Sequence, residues 1–266
     1  MIAEFTIKIL VSYLLGSVVG ALLIGKLRGV DIRRLGSGNA GGTNALRTQG
    51  KAFAFWVMVI DIGKGWLAAG LLARLIIPGI SHRTYYYVTL SFRGHTDEAV
   101  HHLAQQEVSH QWLDAFPNGW LACACGIAVI LGHVYPIFYG FRGGKGVATL
   151  LGAVLGLNPW LLVPVLVTWL IAVFLFGFVG LASILATVAL AVLGVMGALE
   201  SHLPLLAQYA LYVLGVFGPQ LYLLCFGLVA TLLIVFTHRS NIARMRSGTE
   251  SRAKRLWLFA SRSGGV

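Results

Sequence analysis

The sequence predicts an all-α, polytopic integral membrane protein with about seven transmembrane helices. Three observations predict it. The 266 residues are 58% hydrophobic and only 11% charged, whereas a soluble domain carries about 25% charged residues. Several apolar runs reach the ~20 residues that a helix needs to cross ~30 Å of hydrocarbon: Phe5 to Ile24, Ala52 to Ile77, Trp120 to Phe138, and most of Val147 to Phe236. Basic residues gather in the segments that border those runs, the pattern of cytoplasmic loops.

Taken in order, the first run carries no small-residue cleavage site and reads as a retained helix, not a removed signal peptide. Lys26, Arg28, Arg33, Arg34, Arg47 and Lys51 follow it. Arg142 and Lys145 follow the third run, and Arg239, Arg244, Arg246, Arg252, Lys254, Arg255 and Arg262 fill the tail. Fifteen of the 20 Lys and Arg therefore lie in three segments. The positive-inside rule places all three in the cytoplasm. It also explains the net charge of +11 without nucleic acid as a partner.

With the first loop inside, the N-terminus is outside, and the second span, Ala52 to Ile77, returns the chain outward. Residues 78–118 then form an external insertion, net acidic through Asp97, Glu98, Glu107 and Asp114 against Arg83 and Arg93. Its histidines (His82, His95, His101, His102, His110) suit a solvated outer loop better than a zinc site. The third span, Gly119 to Tyr139, leads back in. The tail is also inside, so Val147 to Phe236 holds an even number of crossings. Breaks at Asn158-Pro159, Gly177 to Gly180, Glu200 to Pro204 and Gly218-Pro219 make that number four. Val147 to Leu157 rises only about 17 Å as a helix, so it is tilted, extended backward, or a partial span lining a polar cavity. Leu203 to Phe217 suits an extra interfacial helix. Residues 1–266 read as one membrane domain ending in a basic cytoplasmic tail, 238–266. Cys123, Cys125 and Cys225 lie within apolar spans as small hydrophobes, without disulfide or metal-ligand spacing.

Three polar motifs interrupt this apolar chain, all on the cytoplasmic side. "GSGNAGGTNALR", Gly36 to Arg47, offers Ser37, Asn39, Thr43, Asn44 and Arg47 among glycines that let backbone N–H groups approach an anion. Arg47 is able to grip phosphate through two parallel N–H bonds. An isolated GSGN is more often a solvated loop, but a dozen residues without an acidic group argue for a ligand. "FRGGKGVAT", Phe141 to Thr149, is not a Walker A loop: Tyr139 and Gly146 stand where that pattern needs Gly and Ser/Thr. Gly143, Gly144, Lys145 and Gly146 instead lead into the positive end of an apolar helix, which suits phosphate. "THRSNIARMRSGTE", Thr237 to Glu250, sets His238 and Asn241 three apart on one helix face. Within the second span, Asp61 and Lys64 are spaced to pair with each other or to support the site.

Absent motifs narrow the chemistry. There is no HExxH, CxxC, His-x4-Asp or G-x-S-x-G. Asp31 and Glu250 are the main acids on the inner face, so magnesium lacks its usual carboxylates. No metal and no cofactor is expected.

At these motifs the sequence resembles the bacterial acyl-phosphate:glycerol-3-phosphate acyltransferase family (PlsY). The matching stretches are "GSGNAGGTNALR", "DIGKG" (Asp61 to Gly65), "GHVYPIFYGFRGGKGVAT" and "HRSNIARMRSGTE", and the resemblance as a whole extends over nearly the whole chain. "GGTN" stands where the family usually has Gly-Ala-Thr-Asn, and the 78–118 segment exceeds the family's short loop. The resemblance implies seven spans, with the active site facing the cytoplasm in the bacterial inner membrane. It implies acyl transfer from acyl phosphate to the 1-hydroxyl of glycerol 3-phosphate, giving lysophosphatidic acid and phosphate. It assigns phosphate to Ser37, Arg47 and Lys145, the polar lining to Asn39, Thr43 and Asn44, and the glycerol 3-phosphate side to His238 and Asn241. Membrane lipid surrounds the site, and a substrate phosphate oxygen serves as base. A transporter of a phosphorylated solute is the alternative, disfavoured because the motifs sit at one face and no inverted repeat is evident. A non-catalytic anchor leaves the polar residues of Gly36 to Arg47 unexplained. "GSVVG" (Gly16 to Gly20) and "GAVLG" (Gly152 to Gly156) permit close helix packing within or between protomers.

Overall fold

A computed structural model describes residues 2–75, 119–199, 202–213, 221–253 and 256–258. The external insertion with its histidines, and the break at Gly218-Pro219, fall outside those residues. The described secondary structure is all helical.

The first apolar run divides into α1 (Ile2–Gly16) and α2 (Gly20–Leu27), bent by 48°. The cause is close packing and buried charge. A Cβ on Gly16 would lie 2.2 Å from the Val129 carbonyl, and one on Gly132 would lie 2.1 Å from the Tyr13 carbonyl. The backbone ends freed by the break are capped from another helix. Lys64 Nζ donates to the Gly16 and Val18 carbonyls at 2.9 and 2.8 Å, and Gly20 N–H donates to Asp61 Oδ1 at 3.1 Å. Lys64 and Asp61 also pair at 3.0 Å. Unpaired backbone in hydrocarbon is costly, so two charges inside a span find employment at a broken helix.

The first loop contains α3 (Gly42–Gln49), and α4 (Lys51–Trp66) follows. A wide π turn, Leu67–Leu71, and a 3-10 turn, Leu72–Arg74, extend α4 into one 24-residue apolar rod. Helix α5 covers 119–134 and gives way to a 3-10 turn, Ile137–Tyr139. Helix α6 (Val147–Leu157) stops at Asn158, whose side chain accepts from the Trp160 N–H. The expected breaks at Asn158-Pro159 and Gly177 are present, and α7 (Leu162–Phe176) and α8 (Val179–Ala198) flank the left-handed Gly177. Then come α9 (Leu205–Val213), α10 (Leu221–Thr237) and α11 (Arg239–Arg246), the last two bent by 57°.

Four described segments are long and apolar enough to cross a bilayer: Lys51–Arg74, Gly119–Tyr139, Pro159–Phe176 and Val179–Ala198. The two bent pairs raise the number to as many as six, and α6 is apolar but only 11 residues long. Helix α7 exposes Val163, Leu166, Val167, Leu170 and Ile171, as suits a lipid-facing surface. Lipid is as apolar as leucine, so helices associate through close packing. In the α4–α6 crossing, a Cβ on Gly152 would lie 1.9 Å from the Ile62 carbonyl. The GAVLG stretch thus packs within the chain. Val129, Ile130, Leu150, Val154, Leu190, Phe226 and Ile234 join α5, α6, α8 and α10 in one core.

The chain after α11 straps across the α7–α8 corner. Ala253 N–H donates to the Gly177 carbonyl and Leu258 N–H to Phe174. The Arg252 guanidinium lies over both the Phe178 and Trp257 rings, at 4.8 and 4.0 Å.

Candidate active site

The first loop is built around Asn44, which is buried. Its Oδ1 accepts the Ser37 N–H at 2.9 Å, and its Nδ2 donates to the Leu35 and Ile32 carbonyls. That side chain holds the loop together from within. Gly36, at φ 57°, leaves room for it: a Cβ there would lie 2.3 Å from Asn44 Oδ1. Ser37, Thr43 and Arg47 are exposed, and Asn39 is half-buried against Gly41. Upstream, Arg33 pairs with Asp31 at 3.0 Å and donates to the Tyr139 and Arg142 carbonyls, tying the first loop to the second. The hydrogen bond from Arg33 holds the Asp31 carboxyl below its ordinary range.

The second loop is a chain of backbone bonds. Gly140 and Phe141 are both left-handed, at φ 65° and 58°. Gly143 N–H donates to the Val134 carbonyl and Gly144 N–H to the His133 carbonyl, each at 3.1 Å. Those two N–H groups therefore face into the loop. Left-handed Gly146 then opens α6. The N–H groups of that helix's first turn have no partner within the helix, and they follow directly on Lys145.

The third motif meets the second. Lys145 Nζ donates to Asn241 Oδ1. Asn241 Nδ2 donates in turn to Glu250 Oε1 at 2.7 Å, and Glu250 Oε2 accepts from Arg244 Nε at 2.5 Å. Thr237 Oγ1 donates to the Lys145 carbonyl at 3.1 Å. Burial, with Arg244 nearby, lowers the Lys145 pKa to about 8 against the pull of Glu250. His238 lies at the bend just past α10. Its Nδ1 is 2.8 Å from the Ile234 carbonyl. A carbonyl only accepts, so Nδ1 carries the proton and Nε2 is the ring's acceptor. Burial and the Lys145 charge push the His238 pKa down to about 4, leaving the ring neutral.

The structure thus brings Lys145, His238 and Asn241 together. Arg47 reaches the same neighbourhood through Ser251 Oγ at 3.1 Å, next to Glu250 in the chain. The Ser37 and Thr43 side chains stand exposed on the first loop. Glu250 and Ser251 are the residues that sequence reasoning missed. The signal for Glu250 was its rarity as an acid on this face. An apolar cavity of about 280 Å³ between α1 and α4 is lined by Leu15, Val18, Val59, Ile60, Gly63, Lys64 and Leu67, and by none of Arg47, Lys145, His238 and Asn241.

Comparison with known proteins identifies the family. The glycerol-3-phosphate acyltransferase family model matches residues 6–248. A glycerol-3-phosphate acyltransferase of Chlorobium limicola is 36% identical over 254 residues, spanning 91% of this chain and 93% of the relative. One of Chlorobaculum tepidum is 35% identical, spanning 93% and 96%. The crystal structure of PlsY, an integral membrane glycerol 3-phosphate acyltransferase, in its glycerol 3-phosphate form superposes with a TM-score of 0.62. That match has 31% identity and covers 93% of this chain and 94% of that one. Its lysophosphatidic acid form gives 0.61 at 30% identity. The family model over residues 6–248, the relatives at 35–36% identity and the solved structure matched along 93% of this chain place it in the PlsY family of integral membrane glycerol-3-phosphate acyltransferases.

Proposed function

We propose that the chain moves a fatty acyl group from acyl phosphate to the 1-hydroxyl of sn-glycerol 3-phosphate, the first step of phospholipid synthesis. It does so from seven spans in the bacterial inner membrane, with the N-terminus outside and the site facing the cytoplasm. The observation that carries this reading is the Lys145–Asn241–Glu250 chain, with Arg47 joined to it through Ser251. It gathers fixed cations from three motifs at one end of the bundle and leaves no free carboxylate among them.

Acyl phosphate is an activated anhydride with phosphate as its leaving group. Bringing it to glycerol 3-phosphate means holding two anions together and orienting one hydroxyl. Arg47, Lys145 and the first-turn N–H groups of α6 supply the positive field, with the Ser37 hydroxyl beside them. Gly143 and Gly144 act by shaping the loop, since their N–H groups are spent on carbonyls. His238 Nε2 and Asn241 orient glycerol 3-phosphate, while Asn44 and Gly36 keep the first loop in shape and Asn39 and Thr43 line it. The hydroxyl oxygen attacks the acyl carbon and a new ester C–O bond forms. The bond from that carbon to the phosphate oxygen breaks, and phosphate leaves with the electron pair. The hydroxyl proton passes to a substrate phosphate oxygen, because Glu250 is held by Asn241 and Arg244.

The test is lysophosphatidic acid formation from radiolabelled glycerol 3-phosphate by the purified protein, with phosphate release measured beside it. Product should form with acyl phosphate, one phosphate released per product, and not with acyl-CoA or acyl-carrier protein. Equal turnover with acyl-CoA would overturn the donor assignment.

A further inference from the structure

Asp61, Lys64 and His133 are among the most deeply buried charged and polar side chains described. Capping the α1–α2 break accounts for Lys64 and for one oxygen of Asp61. It leaves His133 unexplained. His133 Nδ1 is 2.9 Å from Lys64 Nζ and 3.4 Å from Asp61 Oδ1. Lys64 already spends two of its three protons on the Gly16 and Val18 carbonyls, so the third is shared between Asp61 and the imidazole. Lys64 donating to Nδ1 puts the ring proton on Nε2. The cluster also carries a cost that a plain cap would not. Asp61 Oδ2 is buried without a hydrogen-bond partner among the described residues, whereas an asparagine would cap Gly20 without burying a charge.

The other side of His133 faces the phosphate loop. Its carbonyl accepts the Gly144 N–H. Its Nε2 occupies the space that a Cβ on Gly144 would need, 2.2 Å away, and the Ala40 carbonyl closes that space at 2.7 Å. The imidazole therefore sits at the seam between the first and second motifs, one residue from Lys145. A displaced ring would press on Gly144, which has the Ala40 carbonyl on its other side, and would carry Lys145 with it. Intramembrane ionisable groups are retained where they serve a function.

We propose that Asp61, Lys64 and His133 are positioning residues that set the Gly143–Lys145 loop for the phosphate of glycerol 3-phosphate, touching no substrate themselves. The inference rests on the glycerol 3-phosphate reading above. Its test uses full-length purified protein, with KM measured separately for the two substrates and radiolabelled glycerol 3-phosphate binding measured without any donor.

The double variant D61N/K64M removes the charges while keeping side-chain volume, at the cost of the caps on the Gly16 and Val18 carbonyls. H133F keeps a ring and leaves the Asp61–Lys64 pair whole, and H133Q restores an acceptor toward Lys64. The expected result is a rise of tenfold or more in KM and Kd for glycerol 3-phosphate in D61N/K64M and H133F. KM for the acyl donor should stay within twofold, and H133Q should recover part of the loss. Folded variants with wild-type KM for glycerol 3-phosphate overturn the proposal, as does equal loss for both substrates. Failure of all three variants to yield folded protein also overturns it, in favour of a purely structural cluster. Absence of glycerol 3-phosphate binding by the wild-type protein would instead defeat the functional reading itself.

Discussion

Lys145 and Asn241, 96 residues apart in the chain, are joined by a hydrogen bond from the ammonium to the amide oxygen. The bond fixes a cation on a glycine loop against the first turns of α11, and Glu250 holds the asparagine from behind. Lys145→Ala should therefore cost about 3 kcal/mol of transition-state stabilisation, as loss of a preorganised donor does. Asn241→Ala should cost about 2 kcal/mol, because the cation keeps its charge and loses its tether. Glycerol 3-phosphate-dependent phosphate release measures both, with the detergent elution profile reporting folding. Wild-type turnover in Lys145→Ala would remove Lys145 from the mechanism.

The lowered Lys145 pKa predicts a pH limit. The charged form is the one that binds phosphate, and in the free enzyme it is lost as pH rises through about 8 instead of above 10. Glycerol 3-phosphate becomes a dianion near pH 6, the usual second pKa of a phosphate ester. His238 is neutral throughout that interval, with its pKa at about 4. KM for glycerol 3-phosphate should then be lowest between about pH 6.5 and 8 and rise about tenfold per unit above that window. Lys145→Arg, which stays charged, should flatten the alkaline rise. A KM that is constant to pH 9.5 in the wild-type enzyme contradicts the assignment.

Glu250 and Arg244 should move that limit in opposite directions. The Arg244 charge lowers the Lys145 pKa and the Glu250 charge raises it. Arg244→Gln should shift the alkaline break upward, and Glu250→Gln should shift it downward. Arg244 is partly exposed, so solvent screening limits its shift to a fraction of a unit. A pH–KM series on the two variants decides the signs. Two shifts in the same direction would mean that the variants act through loop geometry and not through charge.

The membrane class and the site motifs were legible because each rests on local signals: run length, basic borders, and glycines around one lysine. Gly143, Gly144 and Lys145 stood out as a loop entering a helix, and that is how they fold. The direction of the Gly143 and Gly144 N–H groups was not legible, because their acceptors, the carbonyls of Val134 and His133, depend on how the turn at Pro136 closes. Asn44 read as a lining residue, while its neighbours Ile32 and Leu35 claim its amide, a contact set by the path of the preceding loop. The α1–α2 break was likewise hidden. Its run of Ser17-Val18-Val19 is compatible with a helix, and the cause lies in α4 and α5, in Lys64, Asp61 and Gly132. Glu250 escaped for a similar reason: its partners Asn241 and Arg244 meet it only after α11 ends and the chain turns back.

Two glycines in neighbouring helices should respond to alanine with opposite signs. At Gly63 in α4 a Cβ meets nothing within 4 Å. Alanine there gains helix propensity and should raise stability by roughly 0.5–1 kcal/mol. At Gly152 in α6 the same methyl would fall 1.9 Å from the Ile62 carbonyl. Backbone there has no flexible neighbour to yield, so α4 and α6 must separate. That overpacking should cost about 1–3 kcal/mol. The loss spreads to the site, because α6 carries Lys145 at its entry. Thermal unfolding in detergent should show Gly63→Ala above wild type and Gly152→Ala below it, with acyl transfer reduced only in the second. Equal melting temperatures for the two variants would mean that α4 and α6 do not meet at Gly152.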